Sequence, residues 1–226
     1  SSEIDVTNNE LKQLVYANML CNDTKIGTNN ELTGDPTETA LIDMGFKLDF
    51  SPPLFNQMPR VEEIPFDSDR KLMTTVHKIG DKYIVYTKGG VDELVNKSIG
   101  YIINGEIKYN LDEFRKEINK NNTEMAKNAL RVLAMGYKEL DHMPSKEEMQ
   151  DIEKDIIYIG MVGMIDPPRE EARVAVEKCK TAGIKTVMIT GDHKITAIAI
   201  AKSLGILENE EEALTGLELE QMSDEE

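Results

Sequence analysis

The feature that most limits what this chain can fold into is the alternation in its final third. Ile156–Ile165 is a continuous apolar run, the pattern of a strand buried on both faces. Glu170–Ala182 is helical in character and stops at Gly183. Lys185–Ile189 is a second apolar strand run, and Ile195–Leu204 a second helix stopped by Gly205. Strand–helix–strand–helix order calls for a parallel sheet with right-handed crossovers. Two strands do not finish a doubly wound sheet. The region therefore reads as part of an α/β domain, cut at one or both ends.

The preceding residues have a different rhythm. Thr7-Asn8-Asn9-Glu10 has the form of a capping box, and Leu11, Leu14, Val15 and Met19 follow at helical spacing. Asp35-Pro36-Thr37-Glu38 opens a second helix, with proline in its first turn and Gly45 at its end. Lys71–Ile79 and Lys82–Thr87 flank Gly80-Asp81 as a hairpin. Tyr101–Ile103 and Glu106–Tyr109 flank Asn104-Gly105, a dipeptide suited to a two-residue hairpin turn because both positions tolerate positive φ. A helix is expected over Asp112–Leu130 and a strand over Arg131–Glu139. Met143–Asp155 is polar, with a short helix beginning at Pro144-Ser145. The expected organisation is an α+β domain over 1–150, an antiparallel sheet flanked by helices, followed by a partial α/β parallel-sheet domain over 151–226.

Composition narrows the functional classes. The net charge is −16, and nine acidic residues with no basic one fall within Glu208–Glu226, which reads as a solvated tail. Such acidity disfavours nucleic acid and anionic membrane as partners, but leaves room for a small anion in a locally basic pocket. No apolar run approaches the roughly 18–20 residues of a membrane helix, and no signal peptide is evident, so a soluble, cytosolic segment is expected. Cys21 and Cys179 and the three histidines lack metal-ligand spacing, so no metal site is expected.

Chemistry concentrates where ligands gather in parallel sheets, at the carboxyl ends of the strands. The first strand run ends in Asp166-Pro167-Pro168-Arg169 and the second in Thr190-Gly191-Asp192. The prolines stiffen one loop, and Gly191 allows close approach of backbone amides. A hydroxyl at Thr190, those amides and the Arg169 cation suit phosphate. Alone, either motif would read equally well as turn and cap residues. Together, at the ends of neighbouring strands, they point to a site.

Gly163-Met164-Ile165-Asp166-Pro167-Pro168-Arg169, Met188-Ile189-Thr190-Gly191-Asp192 and Thr196-Ala197-Ile198-Ala199 resemble the phosphorylation domain of P-type ATPases, which is haloacid-dehalogenase-like in fold. The first half carries segments similar to the nucleotide-binding domain of the same family, in the expected order. Gly34-Asp35-Pro36-Thr37-Glu38 resembles the segment whose final Glu contacts adenine. Pro65-Phe66-Asp67-Ser68-Asp69-Arg70-Lys71 resembles the one whose Phe stacks on adenine and whose Lys lies near the nucleotide. Thr87-Lys88-Gly89-Gly90 and Leu130-Arg131-Val132-Leu133-Ala134 resemble segments whose Lys and Arg approach the nucleotide. The resemblance thus assigns Glu38, Phe66, Ser68, Lys71, Lys88, Gly89 and Arg131 to nucleotide binding. It assigns Thr190, Gly191 and Asp192 to the phosphoryl group, and Asp166 and Arg169 to support of that loop or of the nucleotide.

Two segments depart from the family pattern: Gly90-Val91-Asp92 stands where relatives have Ala-Pro-Glu, and Ser68 where some have a phosphate-pairing Arg. The family's Asp-Lys-Thr-Gly-Thr phosphorylation motif and its Gly-Asp-Gly-x-Asn-Asp segment are not in the sequence. The resemblance therefore implies an ATP-binding segment at the cytoplasmic face of a membrane pump. Calcium is the favoured ion and magnesium accompanies ATP. The partners are the pump's actuator, transmembrane and remaining phosphorylation-domain parts, and exposed strand edges leave self-association open. Two other readings compete. One is an interaction module that has lost nucleotide binding. The other is a haloacid-dehalogenase-like phosphatase with a large cap, which needs a strand ending in Asp-x-Asp that is not found here.

Overall fold

The computed structural model describes residues 9–128, 130–165, 169–191 and 194–223. They group into two compact units. One comprises the described residues up to Asn119 together with Val132–Val162, the other Lys120–Arg131 together with the described residues from Gly163 onward.

The first unit begins with helix α1 (Asn9–Leu20) and a two-stranded ribbon, β1 (Lys25–Ile26) with β2 (Leu32–Thr33). Thr7 and Asn8, half of the expected capping box, lie outside the described residues. Helix α2 (Pro36–Lys47) starts as expected: Pro36 occupies the first turn, and the Asp35 side chain accepts the Thr37 N–H at 2.8 Å. Gly45 does not end it. It lies two residues inside the helix, where a Cβ would fall 2.3 Å from the Met19 sulfur, so it serves the close packing of α2 on α1.

Helix α3 (Pro53–Gln57) leads to strands β3 (Arg60–Asp67), β4 (Leu72–Ile79) and β5 (Lys82–Gly89). Helix α4 (Val91–Asn96), the hairpin β6 (Ser98–Ile103) and β7 (Glu106–Lys108), helix α5 (Leu111–Lys127), strand β8 (Arg131–Leu140), helix α6 (Lys146–Gln150) and strand β9 (Ile156–Met164) follow. Turn chemistry fixes the hairpins. Gly80 has φ 57° between β4 and β5, and Asn104 and Gly105 have φ 52° and 76° between β6 and β7. Ser145 and Glu148 form a reciprocal capping box that starts α6.

Among the described residues these strands form one seven-stranded sheet, ordered β3-β4-β5-β8-β9-β6-β7. The sheet is mixed rather than antiparallel, because β9 runs parallel to β6. This changes the place of Ile156–Ile165. Expected as the first strand of the second domain, it is an inner strand of the first unit's sheet, and the units divide after Val162 rather than at residue 150. A two-sided apolar strand must be covered on both faces, and an inner position here satisfies that as well as a parallel α/β sheet would. Local pattern cannot distinguish them.

Side chains alternate across the sheet. Tyr86 points to the α1 side and donates to Gln13 at 2.9 Å, whereas Val76 and Val85 cluster with Ile152 on the other face. A second cluster on that face joins Leu72, Leu94, Val95 and Ala134 to Leu111 and Ile118 of α5.

In the second unit, helices α7 (Glu170–Thr181), α8 (Lys194–Leu204) and α9 (Gly216–Glu220) are formed, with a short 3₁₀ turn at Glu210–Glu212. Gly183 and Gly205 follow α7 and α8 with φ 71° and 74°, the left-handed geometry that favours glycine. Lys185–Ile189, expected as a strand, has no ladder partner among the described residues, and Val187 and Ile189 are 73% and 94% exposed. Apolar composition prepares a strand, but only hydrogen-bonded neighbours make one.

Candidate nucleotide site

The first unit gathers residues from four segments around the ends of β3, β4 and β5. The register sets Met73 of β4 opposite Lys88 of β5, and Lys88 opposite Met135 of β8. On the other side of β4 the ladder is irregular. Ile64 pairs with Thr74 and Asp67 with Leu72, so Pro65 and Phe66 together face Met73 as a bulge. Phe66 and Lys88 therefore stand in one cross-strand row, with backbones two strand spacings apart, roughly 10 Å. Phe66 is 59% exposed, which presents its ring to solvent rather than to the core.

Lys88 is buried, and its ammonium donates to Glu38 Oε1 in the first turn of α2. The other oxygen, Oε2, accepts the Asp23 N–H at 3.0 Å. The helix start thus places Glu38 so that one carboxylate binds both a buried cation and a backbone amide. The α2 backbone is tied in as well: Asn22 Nδ2 donates to the Glu38 carbonyl at 2.9 Å. Arg60, at the start of β3, fastens the same loop by donating to Asp23 Oδ1 at 2.7 Å and to the carbonyls of Leu20 and Asn22.

The turn between β3 and β4 carries Ser68 and Lys71. Its form comes from Asp67, whose Oδ1 accepts the N–H groups of Asp69 and Arg70 at 3.0 Å each. Those hydrogen bonds, the Arg70 amide first, hold the Asp67 carboxyl below its usual range. Lys71 has φ 54°, and its ammonium donates to Glu93 Oε1 of α4 at 2.7 Å. That hydrogen bond raises the lysine's pKa and lowers the glutamate's. Behind the turn, Gly90 N–H donates to the Lys71 carbonyl at 3.1 Å. A Cβ on Gly89 would fall 2.0 Å from that same carbonyl oxygen, so this crossing requires glycine. The Gly90-Val91-Asp92 sequence forms the start of α4, with Gly90 at its N-cap.

The residues expected to bind nucleotide divide as follows. Glu38, Phe66, Ser68, Lys71, Lys88 and Gly89 belong to this one region of the first unit. Arg131 opens β8, is exposed and belongs to the second unit. Arg169 precedes α7 and is exposed, as are Thr190 and Gly191. Asp166 and Asp192 lie outside the described residues. Arg60, Arg70, Glu93 and Glu153 build the region but were missed in sequence, since their partners lie 2 to 83 residues away with no local pattern to mark them.

Among the described residues no group of three or more His, Cys, Asp or Glu is placed to hold a metal ion, and no helix is long and apolar enough to cross a membrane. Cys21 and Cys179 are free thiols, and burial pushes the Cys21 thiol up.

Comparison with known proteins identifies the family. Residues 10–171 match the family described as P-type ATPase, cytoplasmic domain N. The chain is 42% identical over 96% of its length to calcium-transporting ATPase 1 of Bacillus cereus, and 40% identical over 98% to calcium-transporting ATPase 1 of Lactococcus lactis. It is 32% identical over 95% of its length to calcium-transporting ATPase 1 of Saccharomyces cerevisiae. It spans about a quarter of the length of these relatives, covering 24%, 25% and 23% of them respectively. A family match over most of the chain, on segments that the fold brings together, means that this chain belongs to the P-type ATPases and contains their cytoplasmic domain N.

Proposed function

We propose that the chain is the ATP-binding portion of a cation pump, with calcium as the transported ion. The first unit takes the adenosine end of ATP: Phe66 stacks on the purine, Glu38 and Lys88 contact it, and Ser68, Lys71 and Gly89 lie in the same region. Arg131 pairs with phosphate oxygens through its planar fork of donors. The row of Phe66, Met73 and Lys88, with Glu38 on the lysine, carries this reading. It pairs an exposed aromatic face with charged groups in the same cross-strand row, at a position where a core phenylalanine would have been buried.

The second unit is read as part of a phosphorylation domain of haloacid-dehalogenase type. Thr190, Gly191 and Asp192 receive the phosphoryl group, and Asp166 and Arg169 support the loop. The exposure of Val187 and Ile189 supports this, because an apolar run with no ladder partner among the described residues fits a sheet shared with strands from elsewhere in a longer protein. Magnesium arrives with the nucleotide and offsets phosphate charge during transfer, which in such reactions depends on positioning and electrostatics. The complete pump sits in the cell membrane with this portion at its cytoplasmic face, joined to actuator and transmembrane parts.

Titration of the chain with ATP tests the nucleotide assignment. Saturable binding in the micromolar to millimolar range is expected. Phe66→Ala should weaken it by about 1–3 kcal/mol, roughly 5- to 150-fold, with little change in stability because the ring is exposed. Unchanged affinity would place the purine elsewhere.

A further inference from the structure

Glu153 is a buried carboxylate that the nucleotide reading does not use, yet its contacts lead to the turn bearing Phe66. Its side chain is 9% exposed, and Oε1 accepts from Arg70 Nη1 and, at 2.9 Å, from the Thr74 hydroxyl. Thr74 in turn shares a 3.0 Å hydrogen bond with Thr87, the residue before Lys88. Arg70 uses its other terminal nitrogen, Nη2, on the turn's own backbone. It donates to the Pro65 carbonyl at 2.7 Å and to the Leu72 carbonyl at 3.3 Å. One guanidinium therefore clasps both legs of the Pro65–Leu72 turn and docks the clasp on Glu153.

The dock itself is well supported. Ile152 is 2% exposed and packs with Val76 and Val85 behind the sheet. Lys154 N–H donates to the Asp151 carbonyl at 3.0 Å, and Lys138 Nζ donates to the Lys154 carbonyl at 2.9 Å. A carboxylate held on such a loop is a fixed point. Without that clasp the turn is held by Asp67 and, at Lys71, by Glu93 and the Gly90 amide, and short exposed turns lie at the low end of local stability.

We infer that Glu153 is a positioning residue of the nucleotide site. Through Arg70 it sets the conformation of the turn that presents Phe66, Ser68 and Lys71. The chemical effect is preorganisation: the ring and ammonium are ordered before nucleotide arrives, so binding does not have to order them. This rests on the ATP-binding assignment above, with Glu153 acting from behind the sheet and not touching the ligand.

The experiment compares Glu153→Gln with Thr87→Val in the whole chain. Thr87→Val removes a hydroxyl of the same network and leaves the Arg70–Glu153 contact in place. Hydrogen exchange is read first at the Asp69, Arg70 and Lys71 amides without ligand. Glu153→Gln should speed it by about tenfold there, as expected for easier local opening, while Thr87→Val should not. ATP and adenosine are then titrated. Glu153→Gln should weaken both by the same factor, about three- to tenfold, the ordering cost of one or two side chains at the purine end. Unchanged exchange in Glu153→Gln overturns the inference, as does faster exchange with unchanged affinity, or an equal loss of affinity in Thr87→Val. If the unsubstituted chain binds no ATP, the nucleotide assignment itself falls, whereas the exchange data separately report whether Glu153 holds the turn.

Discussion

The Glu38–Lys88 pair offers the sharpest test of how this region is built. The Lys88 side chain is 7% exposed and that of Glu38 16%. Met73 and Met135 flank the lysine across the ladder, both buried, so its stem runs through an apolar row to reach the carboxylate. Lys88→Met removes the cation and leaves Glu38 with the Asp23 amide and some solvent. Glu38→Leu leaves an ammonium with far less solvent. Breaking a buried ion pair from one side costs about 3–5 kcal/mol. The lower end, about 3 kcal/mol, is expected for Lys88→Met and the upper end for Glu38→Leu, because the stranded lysine has less access to water. For a unit of this size about 3 kcal/mol corresponds to a fall in melting temperature of about 6–12 °C. The double variant Glu38→Leu/Lys88→Met should be more stable than either single one, because no unpaired charge stays behind. Urea denaturation followed by circular dichroism measures all four corners of the cycle. Losses below about 1 kcal/mol for both single variants, or losses that simply add, would show that the pair is not coupled and that the buried row is wrongly drawn.

Two further expectations concern pH and chemistry. His77 is 2% exposed, and its Nδ1 faces the Met58 carbonyl at 2.9 Å while Nε2 meets the Thr75 hydroxyl at 2.9 Å. The carbonyl can only accept, so Nδ1 carries the proton and Nε2 accepts. Burial lowers its pKa from 6.5 to about 4. The unfolded chain then binds a proton before the folded chain does, so this group's stability is complete above pH 6.5 and is lost as pH falls toward 4, by up to about 3 kcal/mol. His77→Leu should flatten that part of the stability profile, and an unchanged slope in denaturation midpoints between pH 7 and 4 would refute the assignment. The chain should also form no phosphoenzyme, since it lacks the Asp-Lys-Thr-Gly-Thr segment. Incubation with γ-labelled ATP should leave no acid-stable label, and retained label would show a different acceptor.

Much of the local structure was legible in the sequence. Asn104-Gly105 announced its hairpin because few other dipeptides take two positive φ values cheaply, and Asp35-Pro36 announced a helix start because proline needs no N–H donor there. Glu38, Phe66 and Lys88 were legible as a set only through family resemblance. Their spacing of 28 and 22 residues has no period of its own, and nothing local distinguishes an exposed Phe66 from a core one. Glu153 was not legible at all. Its partner Arg70 lies 83 residues earlier, and an isolated Glu before an apolar strand ordinarily marks a solvated loop.

Sequence by itself therefore determined the short-range features: where turns fall, which helices are capped, and which runs must be covered by other protein. These depend on steric limits at single residues and on side-chain alternation, and both act within a few positions along the chain. Tertiary structure alone decided which sheet receives Ile156–Met164, why Lys185–Ile189 has no ladder among the described residues, and how Arg70 comes to rest on Glu153. An apolar strand satisfies its burial equally in any sheet that covers both faces. A buried charge accepts whichever partner the finished packing brings to it, so neither choice exists until the chain has folded.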